Sequence, residues 1–237
     1  MANPLVTLRS ATQSDIPAIK AIHSYYILNT LITLAIVPST DDELLSKYKS
    51  ITSQGLPYIV AVDASANSAI GYAYVTGFRS FKGGFKHTVE LSLFCHPEWR
   101  GQGVGTLLLE KILEVLKEPG THPEYIVNPR SDDLRVRIVI ACISVDEAGR
   151  DNALDLKQYY QKFGFELVGH LKKVGHKFDQ WYTALGFANP LLLTCQGPIP
   201  TNVAYGFLTV GGFLTVFLTA CLFEFSDLYC RPKNQNN

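Results

Sequence analysis

The pattern of apolar and polar positions at the beginning of the chain predicts a strand followed by two helices. Residues 6–11 alternate as a half-buried strand does. Apolar residues then recur at helical spacing from Ile16 to Tyr26, after a helix-start signal at Ser14 or Asp15. A second start signal at 39–43 predicts a short helix that ends near Gly55.

The middle of the chain predicts strands around one helix. Two apolar runs joined by turn-forming residues predict a hairpin, and a glycine-containing loop follows. After the next strand, the period becomes helical from Gly103 and ends before Pro119. The predicted elements are strands 58–62, 69–75 and 88–95, loops 78–86 and 119–133, strand 136–144, helix 152–162, and strands 165–171 and 178–185.

This order of elements predicts an α/β fold. Helices alternate with strands and a hairpin lies among them, which favours a mixed, mostly antiparallel sheet flanked by helices. The 237 residues suffice for one well-buried domain with an appendage. We therefore predict a single domain over residues 1–187 and an apolar C-terminal extension over 188–237.

The extension raises the question of a membrane partner. Residues 203–223 carry no charge and have about the length that crosses a hydrocarbon core. Against a transmembrane helix, the stretch contains Gly206, Gly211 and Gly212, and the basic residues lie beyond it. A membrane anchor and a tail with no membrane role both stay open. The N-terminus lacks a secretory pattern, so we expect the folded domain in the cytoplasm.

Charge and cysteine content exclude other classes. Lysine plus arginine equals aspartate plus glutamate at 21 each, which gives no electrostatic case for nucleic acid as a partner. The five cysteines form no C-x-x-C pair and no Cys/His cluster, so we expect no metal. Cys95 and Cys142 stand in apolar runs, where buried, inert thiols are expected.

A glycine-rich turn carries the candidate chemistry. Gly101, Gly103 and Gly105 follow an apolar strand and open a helix, an arrangement whose backbone N–H groups can bind phosphate. Arg100 adds a positive charge. A dinucleotide-binding turn would need glycine where Thr106 stands, and the Gly-Lys-Ser/Thr of a nucleotide-triphosphate loop is missing. A turn without a ligand is the remaining alternative.

Arg100, Gly103 and Gly105 match the R/Q-x-x-G-x-G/A coenzyme A signature, so the chain resembles the GNAT acetyltransferase superfamily. The resemblance covers roughly residues 6 to 185 and is similar in order and spacing to the phosphinothricin acetyltransferase branch. It implies a GNAT-like fold and acetyl-CoA as co-substrate, without a metal. The further matching segments are 9–12, 58–61, 71–74, 88–90, 160–165 and 175–178, with Asp15, Pro97 and Trp181.

The resemblance implies two catalytic residues. Glu90, in a largely apolar strand, would be the general base, and partial burial would raise its pKa toward that task. Tyr160, four residues before Gly164, would be the general acid, although the branch usually has histidine there. The alternatives are a solvated carboxylate for Glu90, a core tyrosine for Tyr160, and Tyr159 as the rival acid.

The resemblance also implies how the coenzyme is held. The backbone of Leu93, Phe94 and Cys95 would meet the pantetheine arm as an added strand does. Asn152 would contact the same arm, but it lies one residue farther from Tyr160 than is usual. The pyrophosphate would be held by Arg100, Gly101, Gln102, Gly103, Val104, Gly105 and Thr106.

The predicted function is transfer of acetyl to the amino group of a small molecule such as an amino acid or its analogue. Tyr26, Phe78, Arg79 and His176 are candidates for the acceptor pocket, with packing or surface roles as alternatives. Residues 33–37 replace the aromatic and the arginine of the herbicide-acetylating relatives, which favours a less charged amine. A non-catalytic acyl-CoA-binding or membrane-associated module, a protein N-terminal or lysine acetyltransferase, and a homodimer stay open.

Overall fold

Seven strands form one mixed sheet in the computed structural model, which describes residues 6–33, 35–81, 83–145 and 153–191. The strand order is β1-β2-β3-β4-β5-β7-β6, and among these strands β4 and β5 are the only parallel neighbours. The strands are β1 Val6–Ser10, β2 Tyr58–Asp63, β3 Ser68–Gly77, β4 Thr88–Cys95, β5 Ile138–Val145, β6 Glu166–Lys177 and β7 Gln180–Pro190. The helices are α1 Ile16–Asn29, α2 Asp41–Ser53, α3 Val104–Lys117 and α4 Ala153–Lys162.

The predicted α/β fold with a mostly antiparallel sheet is confirmed. Its last two strands are longer than predicted, because pairing between β6 and β7 carries both strands beyond their local apolar patterns. Phe178 was expected to begin a strand, which is wrong. With Asp179 it forms the connecting turn, and both residues have positive φ, 52° and 57°.

Two helix starts show how local hydrogen bonds set the boundaries. Thr40 and Glu43 form a reciprocal capping box at α2, with N–H···O distances of 3.2 and 2.8 Å. Asp15 stands at the N-cap position of α1, as predicted, but its side chain does not cap that helix. Its carboxylate accepts hydrogen bonds from the Thr12 backbone and from the Arg9 guanidinium, each at 2.7 Å.

The helices divide between the two faces of the sheet. Tyr26 of α1 contacts Phe94 of β4, with ring centroids 5.4 Å apart. Helix α2 packs on the same face, where its Tyr48 contacts Tyr58 of β2. On the other face, α3 lies against Gly71 of β3. The fourth helix, α4, joins this second face through Tyr160.

Residues 203–223, where a membrane anchor and a tail with no membrane role were both left open, lie outside the described residues, as does most of the C-terminal extension. Within the described part of the chain, no helix is long and apolar enough to cross a membrane. The final strand β7 runs to Pro190, three residues past the predicted domain end.

Candidate active site

The two parallel strands at the centre of the sheet separate partway along their length. Pairing joins Thr88–Leu91 of β4 to Ile138–Ala141 of β5 and ends there, although the strands continue to Cys95 and Val145. Their outer edges stay paired, β4 with β3 and β5 with β7. Past Leu91 and Ala141, the inner edges therefore carry backbone groups that the sheet does not pair. We call this opening the strand gap.

The backbone of Cys95 faces the strand gap. The next residue, His96, donates its N–H to Ile70 on the β3 side, at 2.7 Å. Backbone groups of successive strand residues alternate in direction, so those of Cys95 and Leu93 point the opposite way. The Tyr26 hydroxyl donates to the Cys95 carbonyl at 2.6 Å, which fixes this edge to α1.

The glycine turn lies beside the outer end of this edge. Gly101 and Gly103 have φ of 74° and 84°, which L-residues rarely adopt, and a Cβ at either would meet nothing within 4 Å. Gly103 is the N-cap of α3, so no side chain covers the N–H groups of the first turn. A Cβ at Gly105 would lie 3.5 Å from the Cys95 Sγ. Turn and strand edge thus adjoin one another.

Burial controls protonation at the end of β4. It raises the pKa of the Cys95 thiol to about 11 and the pKa of Tyr26 to about 12, although the Arg100 charge lowers both. Both groups are therefore protonated at neutral pH.

The expectation that Cys95 and Cys142 are buried is wrong in degree, because both are half-buried on strands that border the gap.

Glu90 and Tyr160 lie on opposite faces of the sheet where the strands begin to separate. Glu90 is half-buried, shares a register row with Thr76 and Ile140, and belongs to the face that carries α1 and α2. The next row, Leu91–Ala141–Phe187, faces α4. There the Tyr160 ring stacks on Phe187, with centroids 5.5 Å apart. Burial raises the pKa of Tyr160, which keeps it protonated.

Comparisons with known proteins decide the family. Residues 54–167 match the model of the acetyltransferase (GNAT) domain. The chain is 31% identical over 192 residues to a phosphinothricin N-acetyltransferase of Alcaligenes faecalis, a match that covers 81% of this chain and 85% of that protein. The chain belongs to the GNAT acetyltransferase family. Membership makes it an N-acetyltransferase whose acetyl donor is acetyl-CoA.

Two further relatives place the GNAT chain near the predicted branch. An L-methionine sulfoximine/L-methionine sulfone acetyltransferase of Pseudomonas aeruginosa is 31% identical over 178 residues, 74% of this chain and 88% of that protein. A crystal structure of a GNAT superfamily phosphinothricin acetyltransferase from Sinorhizobium meliloti in complex with AcCoA is 29% identical. Its TM-score is 0.65, over 78% of this chain and 88% of that one.

The structure of this GNAT chain brings only part of the predicted acceptor set together. Tyr26 contacts the Glu90 face, but its hydroxyl is already bonded to Cys95. Phe78 and Arg79 lie just past Thr76, the register partner of Glu90, and both contact the Phe85 ring. His176 is exposed, and its ring contacts Trp181 of β7. The Trp181 side chain lies on one face of the sheet, whereas Ala188, which shares the register row of Glu90, lies on the other face. The structure does not bring His176 to Glu90.

One buried side chain that the sequence did not single out is Lys177. Lys177 is buried and donates to the Thr33 carbonyl, 3.1 Å away, on the face of Glu90. Its neighbour His176 was the visible candidate, and strand alternation could have indicated Lys177 once the register was known.

Asn152 lies outside the described residues. Within the described part of the GNAT chain, no cluster of acidic, histidine or cysteine side chains could hold a metal.

Proposed function

We propose that the GNAT chain transfers acetyl from acetyl-CoA to the α-amino group of a small amino acid or amino acid analogue. The observation that carries this proposal is the pair of groups on either side of the sheet at the strand gap: a carboxylate, Glu90, and a protonated phenol, Tyr160. The names of the relatives support the acceptor class, since they are acetyltransferases for phosphinothricin and methionine sulfoximine.

The residues around the gap fit the donor substrate. The first-turn N–H groups of α3, which receive no side-chain cap, would hold the pyrophosphate together with Arg100, because such groups attract anions. The unpaired edge at Leu93 and Cys95 offers hydrogen bonds to an extended amide chain, and pantetheine is such a chain. The thioester would then reach the point where the strands separate.

Each step of the proposed transfer has a group on this chain. Glu90 accepts a proton from the acceptor's ammonium group, and the neutral amine attacks the thioester carbonyl. The N–C bond forms and the C–S bond breaks. Tyr160 donates its proton to the departing thiolate, which leaves as coenzyme A, and the second proton that the amine nitrogen loses restores the Tyr160 phenol. A phenol whose pKa is raised holds this proton through the neutral range.

The acceptor would bind on the face of α1 and α2, beside Glu90. Phe78 and Arg79 follow β3 there, and Lys177 brings a second cation to the segment after α1. Cations on this side favour an acceptor that carries a carboxylate. This supports an amino acid over a simple alkylamine.

The test is an amine panel with thiol detection. The purified chain is given acetyl-CoA with methionine sulfoximine, methionine sulfone, phosphinothricin, the standard amino acids, simple alkylamines and a short peptide. The proposal expects thiol release with one or more amino acid analogues and less with their decarboxylated counterparts. Release with the peptide alone would instead assign protein acetylation, and coenzyme binding with no release would assign a binding module.

A further inference from the structure

The Tyr159 hydroxyl is a buried polar group without a partner. It is shielded from solvent and makes no hydrogen bond to any group in the described part of the chain. Its ring is held by T-shaped contacts to Tyr160 and Phe163, with centroids 5.3 and 5.1 Å away. A buried hydroxyl costs free energy unless something bonds to it. The Tyr159 hydroxyl is therefore available to a hydrogen-bond acceptor on a bound ligand.

The position of the hydroxyl points to the strand gap. A Cβ built on Gly105 would lie 3.7 Å from the Tyr159 oxygen, 3.5 Å from the Cys95 Sγ and 3.6 Å from the Leu93 Cδ2. Gly105 lies in the first turn of α3, and Leu93 and Cys95 are the two β4 residues whose backbone faces the gap, so the Tyr159 oxygen shares the surroundings of Gly105 with both of them. Burial raises the pKa of Tyr159 to about 12, and the nearby Thr106 hydroxyl lowers it in part, although the two hydroxyls are not placed to form a hydrogen bond.

The two adjacent tyrosines lie at different depths along the gap. Tyr160 stacks on Phe187, whose register partner Ala141 is the last paired residue of β5. The Tyr159 oxygen lies beside Gly105, in the first turn of α3. The two ring centroids are 5.3 Å apart, with Tyr160 toward Phe187 and Tyr159 toward the glycine turn.

We propose that the Tyr159 hydroxyl donates a hydrogen bond to an amide carbonyl of the pantetheine arm of acetyl-CoA, between the pyrophosphate and the thioester. This rests on the proposed binding of acetyl-CoA in the gap. Tyr159 is a coenzyme-binding residue in this assignment and takes no part in proton transfer. The apo protein tolerates an unsatisfied hydroxyl, and the bound coenzyme satisfies it.

The test compares Tyr159→Phe with two matched tyrosine variants. Tyr159→Phe removes an unbonded hydroxyl, so the melting temperature of the apo protein should stay the same or rise, and calorimetric Kd for coenzyme A should rise about 2- to 12-fold. Tyr125→Phe removes a hydroxyl bonded to the Leu8 carbonyl at 3.2 Å. That variant should melt at a lower temperature and keep its Kd. Tyr160→Phe should keep its Kd for coenzyme A and lose kcat.

A coenzyme fragment separates the arm from the phosphates. Adenosine 3′-phosphate 5′-diphosphate lacks pantetheine, so its Kd should be the same for wild type and Tyr159→Phe. An unchanged Kd for coenzyme A, an equal loss for both ligands, or a lower apo melting temperature in Tyr159→Phe would each overturn the assignment. Tyr159-dependent binding of coenzyme A with no acetylated amine would uphold it while the proposed function fails. A wild-type chain that does not bind coenzyme A would overturn both.

Discussion

The hydroxyl of Tyr26 donates a 2.6 Å hydrogen bond to the carbonyl of Cys95, so that α1 fixes the free edge of β4. This contact joins residues 69 positions apart in the sequence. The hydrogen bond occupies the Cys95 carbonyl, which faces the strand gap, and leaves the neighbouring backbone N–H groups of β4 available as donors. Helix α1 and the open edge of β4 are therefore mechanically connected.

Replacing Tyr26 by phenylalanine should weaken the fold modestly. The ring contacts remain, but a buried carbonyl loses its donor, which costs about 1 kcal/mol. Urea unfolding measures the change. Tyr25→Phe is the matched control, since Tyr25 is 39% exposed on the same helix, and its free energy of unfolding should change by less than about 0.5 kcal/mol. Equal effects of the two substitutions would show that the hydrogen bond contributes nothing.

Replacing Glu90 by glutamine should lower kcat/KM by about 10²- to 10⁴-fold at neutral pH, because the amide cannot accept the acceptor's proton. Calorimetric affinity for coenzyme A should be unchanged. Glu166→Gln serves as the control, since Glu166 lies exposed at the outer end of the same register row. Full activity in Glu90→Gln would remove Glu90 from the mechanism.

Two glycines of one turn should respond in opposite directions. Gly103→Ala forces alanine into a left-handed conformation, which costs about 1–2 kcal/mol, and distortion of the turn should weaken coenzyme binding. Gly105→Ala places a methyl at ordinary contact distances within a helix and should stabilise the fold by up to about 1 kcal/mol. Denaturant unfolding of both variants measures this contrast. A stabilised Gly103→Ala would contradict it.

The pair Arg9–Asp15 should make stability depend on pH below 5. Burial of Asp15 alone would raise its pKa, but hydrogen bonds from Arg9 and Thr12 outweigh it and lower the pKa. The pair therefore contributes stability above the ordinary aspartate pKa of about 3.9, and this is lost as pH falls through the lower folded value. Asp15→Asn should cost about 1–3 kcal/mol at pH 7.

Unfolding free energies of wild type and Asp15→Asn at pH 7, 5, 4 and 3 provide the measurement. The difference between the two proteins should shrink toward acid. A constant difference across this range would mean that the charge of Asp15 contributes nothing.

Replacing Lys177 by methionine should raise KM for an amino acid acceptor about tenfold, the effect of one lost charged hydrogen bond, and leave KM for acetyl-CoA unchanged. The substitution keeps the volume but removes both the positive charge and the bond to Thr33. Lys172→Met, an exposed position on the same strand, should change neither constant. If KM for acetyl-CoA rose instead, Lys177 would serve the coenzyme side.

Local chemistry explains which parts of the fold the sequence predicted well. The capping box at Thr40 and the glycine turn before α3 depend on neighbouring residues, so their positions could be read directly. Strand β4 was predicted with its observed bounds, because apolar residues run along it up to the turn. The predicted places of Glu90 and the glycines follow from these elements.

Long-range pairing explains what the sequence could not supply. The separation of β4 from β5 depends on the register of strands about 50 residues apart, which no local pattern encodes. Lys177 meets Thr33 across 144 residues. Whether Tyr159 or Tyr160 faces a given part of the gap depends on the docking of α4, and two adjacent tyrosines look alike in a sequence.

The short pairing of β4 with β5 makes the sheet two leaves joined along a seam of four residue pairs. One leaf holds β1 to β4, and the other holds β5, β7 and β6. A ligand that hydrogen-bonds along the open part of both edges would lengthen that seam and tie the leaves together. Such a donor substrate is also a structural component while it is bound. At a concentration of 100 times its Kd, it would raise the free energy of unfolding by about 2.7 kcal/mol.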